Sequence, residues 1–316
     1  MNAAGRLGIY GAGLVAVFAA AFAVSGVVVP ESTVTAWAGA GSTVHATDAE
    51  QDAESLLEAS VMGVSIAASG FVIGAVRAPA EAGVEGDLAF GVLNAEGDPV
   101  TEYETAHGKQ LHLIVVRSDG SEYRHVHPVL DTATGTWSLP WTWDAAGTYR
   151  VYADFIAGDG TSATLSRTVN VAGLVTPAPS TDVKDTDSVD GFDVSISGEL
   201  VAGTGSDLTV EVTRDGAPVT ALEPYLGAFG HLVALREGDL AYLHVHAHGE
   251  EPKPGDQAGP AVTFTAEVLT AGRYLFYLDF QVDGQVHTAA FVLDTAGSAA
   301  ASEDESDTSD DEHSGH

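Results

Sequence analysis

The chain has 316 residues, with 45 acidic against 12 basic side chains and a formal net charge of −33. This charge argues against a nucleic-acid-binding protein, which needs a basic surface, and against docking on anionic lipid head groups. The absence of cysteine excludes thiolate metal sites, cysteine nucleophiles, disulfides and lipidation on cysteine.

The N-terminal segment 7–29 contains no charged residue. As a helix it would measure about 34 Å, which is enough to cross a hydrocarbon core of about 30 Å. Arg6 before the segment and Glu31 after it predict an anchor whose following domains lie outside the cell. The alternative is a cleaved signal peptide and a secreted protein, because small-residue cleavage sites occur within 36–40. Residues 30–62 are predicted to be a spacer.

Two tandem domains of one fold are predicted at 63–174 and 190–295. Short segments such as DLTVEV (207–212) alternate apolar and polar residues and are separated by Asp-Gly and Ala-Gly turns. The pattern predicts an all-β protein with two immunoglobulin-like antiparallel β-sandwiches after the membrane helix; the alternative is a small Greek-key barrel. Residues 175–189 have linker composition, and 296–316 are predicted to be a disordered acidic tail. The core candidates of the first domain are Trp137, Trp141, Trp143, Tyr149, Tyr152 and Phe155.

A histidine trio occurs twice in the chain. The first trio is His112, His125 and His127, and the second, 119 positions later, is His231, His244 and His246. If Asp119-Gly120 forms a hairpin turn, positions that sum to 239 face each other, which places His112 opposite His127. The same argument at Gly238-Asp239 places His231 opposite His246. Because neutral imidazole is the commonest metal ligand, the trios predict metal sites.

Other side chains are candidates to complete the ligand sets. These are Asp279, His248 and His287 in the second copy and Asp154 in the first. The second copy is therefore predicted to be the better-equipped site. With two methionines and no cysteine, the ligands suit Cu(II) or Zn²⁺, and Cu(II) is preferred on the Irving–Williams order.

A different interpretation needs no metal. The histidines could be internal polar pairs, hydrogen-bonded to Asp154 or Asp279, in a structural or partner-binding surface module. The sequence also leaves open whether the two trios face each other and form one larger site. His107 is interpreted as a turn residue. No G-x-S-x-G, phosphate-binding glycine loop or H-E-x-x-H occurs, so an enzyme is not predicted.

Each copy contains G-x-P-V, the histidine hairpin and A-G-x-Y-x-x-x-x-D-F. These motifs span 97–100, 112–127 and 146–155 in the first copy, and 216–219, 231–246 and 271–280 in the second. The combination resembles the YtkA-like and FixH-type exported bacterial sandwich domains and, more distantly, the copper-binding CopC-type sandwiches. The resemblance implies an immunoglobulin-like fold, a location outside the cytoplasm and a role in copper handling. The methionine-rich segments of some of these proteins are absent, and an uncleaved anchor would remove the N-terminal amine that CopC-type sites use.

Together these observations predict a membrane-anchored, extracytoplasmic protein that buffers or delivers Cu(II) or Zn²⁺. The expected partner is a metal ion, with no nucleic acid, and the sequence does not identify a protein partner.

Overall fold

The computed structural model describes residues 63–179, 182–243 and 245–296. Within these ranges the regular secondary structure consists of β-strands alone. No helix in the described ranges is long and apolar enough to cross a membrane. The predicted membrane segment 7–29, the spacer 30–62, the acidic tail from 297 onward and His244 lie outside the described residues.

The first sandwich is built from strands whose mutual pairings are antiparallel. Its strands are β1 (Ala67–Ala68), β2 (Phe71–Ile73), β3 (Gly86–Leu93), β4 (Leu111–Arg117), β5 (Arg124–Val126), β6 (Val129–Asp131), β7 (Thr136–Trp141), β8 (Gly147–Ile156) and β9 (Ser162–Val171). One sheet has the order β1-β2-β3-β7-β6, and the other has the order β5-β4-β8-β9. The segments β2-β3-β7-β6 and β4-β8-β9 correspond to the ABED and CFG sheets of an immunoglobulin-type sandwich.

The second sandwich repeats this arrangement. Its strands are β10 (Thr186–Val189), β11 (Phe192–Ser197), β12 (Thr204–Arg214), β13 (Ala217–Pro218), β14 (His231–Arg236), β15 (Tyr242–Leu243), β16 (Val245–Ala247), β17 (Ala261–Val268), β18 (Arg273–Val282) and β19 (Gln285–Asp294). The sheet orders are β10-β11-β12-β17-β16, with β13 beside β12, and β15-β14-β18-β19.

The first strand of this sandwich lies inside the segment predicted to be linker. Val189 pairs with Phe192 across a two-residue turn, in which Asp190 and Gly191 both have positive φ. Asp-Gly with two positive φ angles is the typical type I′ hairpin loop, because its twist matches that of the flanking strands. The polar composition of 186–189 is therefore that of a short edge strand.

Each sandwich encloses its own apolar core between its two sheets. Five of the six aromatic residues predicted for the first core lie there: Trp137, Trp141, Trp143, Tyr149 and Phe155. Tyr152 does not, because successive side chains of a strand point to opposite faces. Tyr149, Val151 and Phe155 on β8 point into the sandwich, so Tyr152 must point outward.

A tyrosine near the start of β8 and another near the start of β18 occupy equivalent positions. The Tyr149 hydroxyl donates a hydrogen bond to the carbonyl of Ala145 (2.8 Å), and that of Tyr274 donates to the carbonyl of Thr270 (2.6 Å). A tyrosine at this position, bonded to the backbone just upstream, is the tyrosine corner of immunoglobulin-type sandwiches. Both copies thus share a local feature of that fold as well as its strand order.

The outward faces of the two four-stranded sheets pack against each other. Their apolar contact cluster is Ile114, Val116, Tyr152, Val233, Leu235, Leu240, Tyr242, Leu275, Tyr277 and Val292, with Tyr123 and Ala290 at its margin. The face of β4 that carries Ile114 and Val116 is therefore covered by the second sandwich.

This interface has approximate twofold symmetry. The Tyr152 hydroxyl donates to the carbonyl of Leu240 in the second sandwich, and the Tyr277 hydroxyl donates to that of Gly120 in the first. Tyr277 also stacks on Tyr123, with ring centres 4.0 Å apart. Each tyrosine thus satisfies a backbone carbonyl in the opposite copy, and the two contacts fix how the sandwiches dock.

Candidate metal centre

The first histidine trio lies at one end of the interface between the sandwiches. His112 is on β4, on the same face as Ile114, and that face is turned toward the second sandwich. Ile114 pairs with His125 on β5, which confirms the predicted register in which positions sum to 239. His127 follows β5 at the point where the chain leaves this sheet for β6 in the other one.

The three side chains converge on one point. His112, His125 and His127 each offer a ring nitrogen, and these three atoms all lie within 4.8 Å of one another. The ring centres are 5.2, 5.1 and 5.0 Å apart. Three imidazoles on one tetrahedral ion, with metal–nitrogen bonds of about 2 Å, have ring centres about 5 Å apart. The rings are thus spaced as three corners of a tetrahedral site.

A carboxylate from the second sandwich orients one of these rings. His125 Nδ1 donates a hydrogen bond to Asp279 Oδ2 (2.9 Å), and the hydroxyl of Thr288 donates to Asp279 Oδ1 (2.6 Å). Asp279 is only 2% exposed. A carboxylate accepts the Nδ1 proton and leaves His125 Nε2 with a free lone pair, the arrangement typical of metal-bound histidine. Asp279, predicted as a ligand of the second trio, thus supports a histidine of the first.

His112 presents the same pattern with a carbonyl in place of the carboxylate. Its Nε2 lies 3.3 Å from the carbonyl oxygen of Ala106, and its Nδ1 lies 3.0 Å from His125 Nε2. A carbonyl can only accept, so Nε2 carries the proton and Nδ1 carries a lone pair. Two ring lone pairs then face each other at 3.0 Å. Only a cation between them, a proton or a metal ion, makes this contact favourable.

The third ring nitrogen has no such partner. Nε2 of His127 is buried, and it makes no hydrogen bond to any residue that the structure describes. Burial, reinforced by the neighbouring His125, lowers the pKa of His112 to about 4 and that of His127 to about 3. Both imidazoles are therefore neutral at pH 7, which is the form that binds metal ions.

His231, the first histidine of the second trio, lies against the first trio. Its ring is parallel to that of His112, with centres 5.6 Å apart, and lies 4.8 Å from that of His125. Burial, followed by the effect of His125, holds the pKa of His231 well below its ordinary value. The two copies thus do face each other, an arrangement that the sequence left open.

The predicted pairing of His231 with His246 is wrong. β14 pairs with Tyr242 and Leu243, whereas His246 on β16 pairs with Thr265 in the opposite sheet. The chain switches sheets after Leu243, so the hairpin register ends before it reaches His246. His246 is exposed, and His244 between the two segments lies outside the described residues.

The remaining predicted ligands are placed elsewhere. Nε2 of His248 lies 2.6 Å from the Thr265 hydroxyl oxygen and 3.4 Å from Asp207, on the surface of the opposite sheet. His287 Nδ1 donates to Asp190 (2.8 Å). Asp154 faces His112 across the β4–β8 pairing and accepts a hydrogen bond from Thr164 (2.6 Å), but it is not in the ligand group.

One histidine near the centre was interpreted from sequence as a turn residue. His107 does lie in a turn, closed by hydrogen bonds between Ala106 and Lys109, and has φ of 51°. Its ring centre is 6.2 Å from that of His112 and 6.3 Å from that of His231. Nothing in the local pattern signals either distance, and the distance to His231 depends on how the two sandwiches dock.

The sequence family described as "Domain of unknown function (DUF8832)" matches the chain twice, at residues 69–173 and 187–297. The two matches cover more than half of the chain, which therefore belongs to this family. They fall one on each sandwich, in agreement with the two equivalent sets of strands.

Similarity to solved structures is weak. The Escherichia coli adhesin FdeC is 16% identical over 74% of this chain, with a TM-score of 0.22; the bacterial integrin-binding protein invasin is 13% identical over 71%, with a TM-score of 0.21. Salmonella alpha-2-macroglobulin is 15% identical over 75%, with a TM-score of 0.24. The matched regions span 66%, 38% and 15% of those chains. No curated protein matches the sequence significantly. At such low TM-scores we infer nothing about function from these proteins.

Proposed function

We propose that this member of the DUF8832 family binds one divalent metal ion, Cu(II) or Zn²⁺, through His112, His125 and His127. The observation that carries the proposal is the 3.0 Å contact between His112 Nδ1 and His125 Nε2. We infer that both nitrogens carry lone pairs. The other nitrogen of each ring lies beside an acceptor, the Ala106 carbonyl or the Asp279 carboxylate. The pair therefore needs a cation.

A metal ion explains the cluster better than a shared proton does. A proton on His125 would bridge it to His112 and form an ion pair with Asp279. It would still leave Nε2 of His127 buried without a partner, and an unsatisfied buried polar atom costs about 1–3 kcal/mol. An ion at the centre of the trio can accept all three lone pairs. The alternative, a structural or partner-binding module with internal polar pairs, leaves that nitrogen unexplained.

Three imidazoles leave one position of a tetrahedral ion open, which suits a protein that receives and passes on its cargo. For a given set of nitrogen ligands, Cu(II) binds more tightly than Zn²⁺. The resemblance of the repeat to YtkA-like and CopC-type sandwiches adds to the proposal of copper. The function would then be buffering or delivery of the ion, without chemical conversion.

The proposed location is outside the cytoplasm, with segment 7–29 as a single-pass anchor or, alternatively, as a signal peptide that is removed. The uncharged length of the segment supports the first alternative. The net charge of −33 would favour the encounter of both domains with cations.

Calorimetric titration of Cu(II) and Zn²⁺ into the full-length, detergent-solubilised chain tests the proposal. His313 and His316 are both changed to Gln in every sample, so that the tail histidines do not contribute. We expect one tight site per chain. His127→Gln should weaken it by more than the roughly 10- to 100-fold that loss of a supporting residue costs.

The matched control is His248→Gln, which removes an exposed histidine outside the trio and should bind like the wild type. If the folded wild-type chain binds neither ion, or if His248→Gln weakens binding as much as His127→Gln, the proposal is wrong. The histidines would then be structural polar pairs.

A further inference from the structure

A cleft beside the trio is lined by other histidines. It has a volume of about 220 Å³, and its walls include His107, His231, His246 and Glu251. It adjoins a wider groove of about 700 Å³, with which it shares His107, Leu226, Gly227 and Glu251. The trio itself lines neither space among the described residues. His107 lines both spaces and His231 lines the cleft, so these two residues lie between the open spaces and the buried trio.

The distances between these rings match the span of a bound ion. The ring centres of His107 and His231 are 6.3 Å apart. Two imidazoles on opposite sides of one ion, with bonds of about 2 Å, have centres about 6 Å apart. His107 is at a similar distance, 6.2 Å, from His112 of the trio. His107 thus lies at similar distances from His231 in the cleft and from His112 of the trio.

The histidine at 107 is not required by the turn in which it lies. The equivalent turn in the second copy, 119 positions later, has Leu226 at the same place, with φ of 53° against 51° for His107. The two turns approach each other closely: a Cβ added to Gly227, which has φ of +78°, would lie 2.9 Å from His107 Nδ1. The first copy thus carries an imidazole where the second copy carries an aliphatic side chain with the same backbone conformation.

The charge of the groove favours a cation. Glu223, Glu251 and Asp256 line it, and Lys109 is the basic residue at its His107 end. Acidic walls in a concave site raise the local concentration of cations and the rate at which they associate.

We propose that His107 and His231 form a second, loading site for the same divalent ion, from which the ion passes to His112 and the buried trio. This inference rests on the proposed function of the trio. A loading site accelerates both entry and exit, so its loss should slow association and dissociation together. The dissociation constant of the buried site should stay the same.

Stopped-flow measurement of tryptophan fluorescence quenching by Cu(II) tests this, on the full-length chain with His313 and His316 changed to Gln. His107→Leu introduces the side chain found in the second copy. We expect its association rate constant to fall by roughly tenfold, an effect comparable to the smallest contribution of electrostatic focusing in a cleft, although the acidic residues of the groove are unchanged. The equilibrium stoichiometry and dissociation constant of the trio should be retained. His107→Asn, which also tolerates positive φ, should behave in the same way if the leucine variant fails to fold.

His248→Gln serves as the control, because His248 is exposed and lies outside the cleft. Association of both His107 variants at the wild-type rate would overturn the loading site and leave the buried site standing. Failure of the wild-type chain to bind Cu(II) would overturn both proposals. A lower affinity with an unchanged association rate would assign His107 to the buried site itself, which also contradicts a loading role.

Discussion

Replacement of Asp279 by Asn separates the supporting role of this carboxylate from a purely structural one. Asp279 is 2% exposed and accepts hydrogen bonds from His125 Nδ1 (2.9 Å) and from the hydroxyl of Thr288 (2.6 Å). The amide is nearly isosteric, and its oxygen can still accept from His125. What the substitution removes is the negative charge behind the imidazole, and therefore the charge assistance of that hydrogen bond.

The magnitude follows from this difference. A hydrogen bond to an ionised group contributes about 1.5–3 kcal/mol, against about 0.5–1.5 kcal/mol for a neutral pair. A loss of about 1.4 kcal/mol of binding free energy corresponds to a tenfold larger dissociation constant. We therefore expect Asp279→Asn to weaken metal binding about tenfold, at the lower end of the range for residues that support a metal-bound histidine. Competition titration against a chelator of known affinity measures the change.

Asp154→Asn is the matched control. Asp154 occupies the same register position in the first copy, and it accepts a hydrogen bond from Thr164 as Asp279 does from Thr288. It lies outside the ligand group, so its substitution should weaken binding less than Asp279→Asn does. Equal affinities of Asp279→Asn and the wild type, or an equal loss in both variants, would refute the reasoning. Thermal unfolding of each variant shows that the fold is retained.

Two further outcomes are expected for stability. Because burial lowers the pKa of His112 to about 4 and of His127 to about 3, the unfolded chain binds more protons than the folded chain below about pH 6.5. The contribution of these two histidines to the free energy of unfolding of the metal-free chain should then be constant above about pH 7 and fall from pH 6.5 toward 4, with His112 contributing on the order of 3 kcal/mol. Urea unfolding at several pH values measures this, and a flat or rising profile on acidification contradicts it. Gly120→Ala places a Cβ 2.5 Å from the Leu275 side chain at φ of +82°, whereas the same change at Gly238, with φ of +99°, meets no atom within 4 Å. Gly120→Ala should therefore lower stability by about 1–3 kcal/mol more than Gly238→Ala, the usual effect of overpacking, and equal losses in calorimetry would contradict docking of this turn on the second sandwich.

The features that depend on local pattern could be predicted from the sequence. Alternating strands and Asp-Gly turns predicted the sandwiches, and the hairpin arithmetic gave the correct pairing of Ile114 with His125. It failed at His246, because local alternation does not tell which sheet a strand joins after the chain leaves β14. His112 is buried because its face of β4 is covered by the second sandwich, and the core of its own sandwich lies on the other face.

The sequence singled out the three histidines of the first trio, but it could not place Asp279 beside His125, because that contact is not local. His125 and Asp279 are 154 positions apart and meet only when the two sandwiches dock. The sequence identified both residues as candidates. It assigned Asp279 to the second trio, because the repeat places Asp279 in the same copy as His231. His107 was interpreted as a turn residue, and its proximity to His231 arises only when the two sandwiches dock.

The approximate twofold interface has a consequence for how such a centre can arise. In a true homodimer each surface residue is presented twice, so every contact and every substitution is duplicated about the axis. Here both halves belong to one chain, and each can change alone. One copy has a histidine at 107 where the other has Leu226, and Asp279 serves a ring that its own copy does not contain. Covalent linkage thus allows a symmetric pairing of sandwiches to specialise, as it does where Asp279 of the second copy orients His125 of the first.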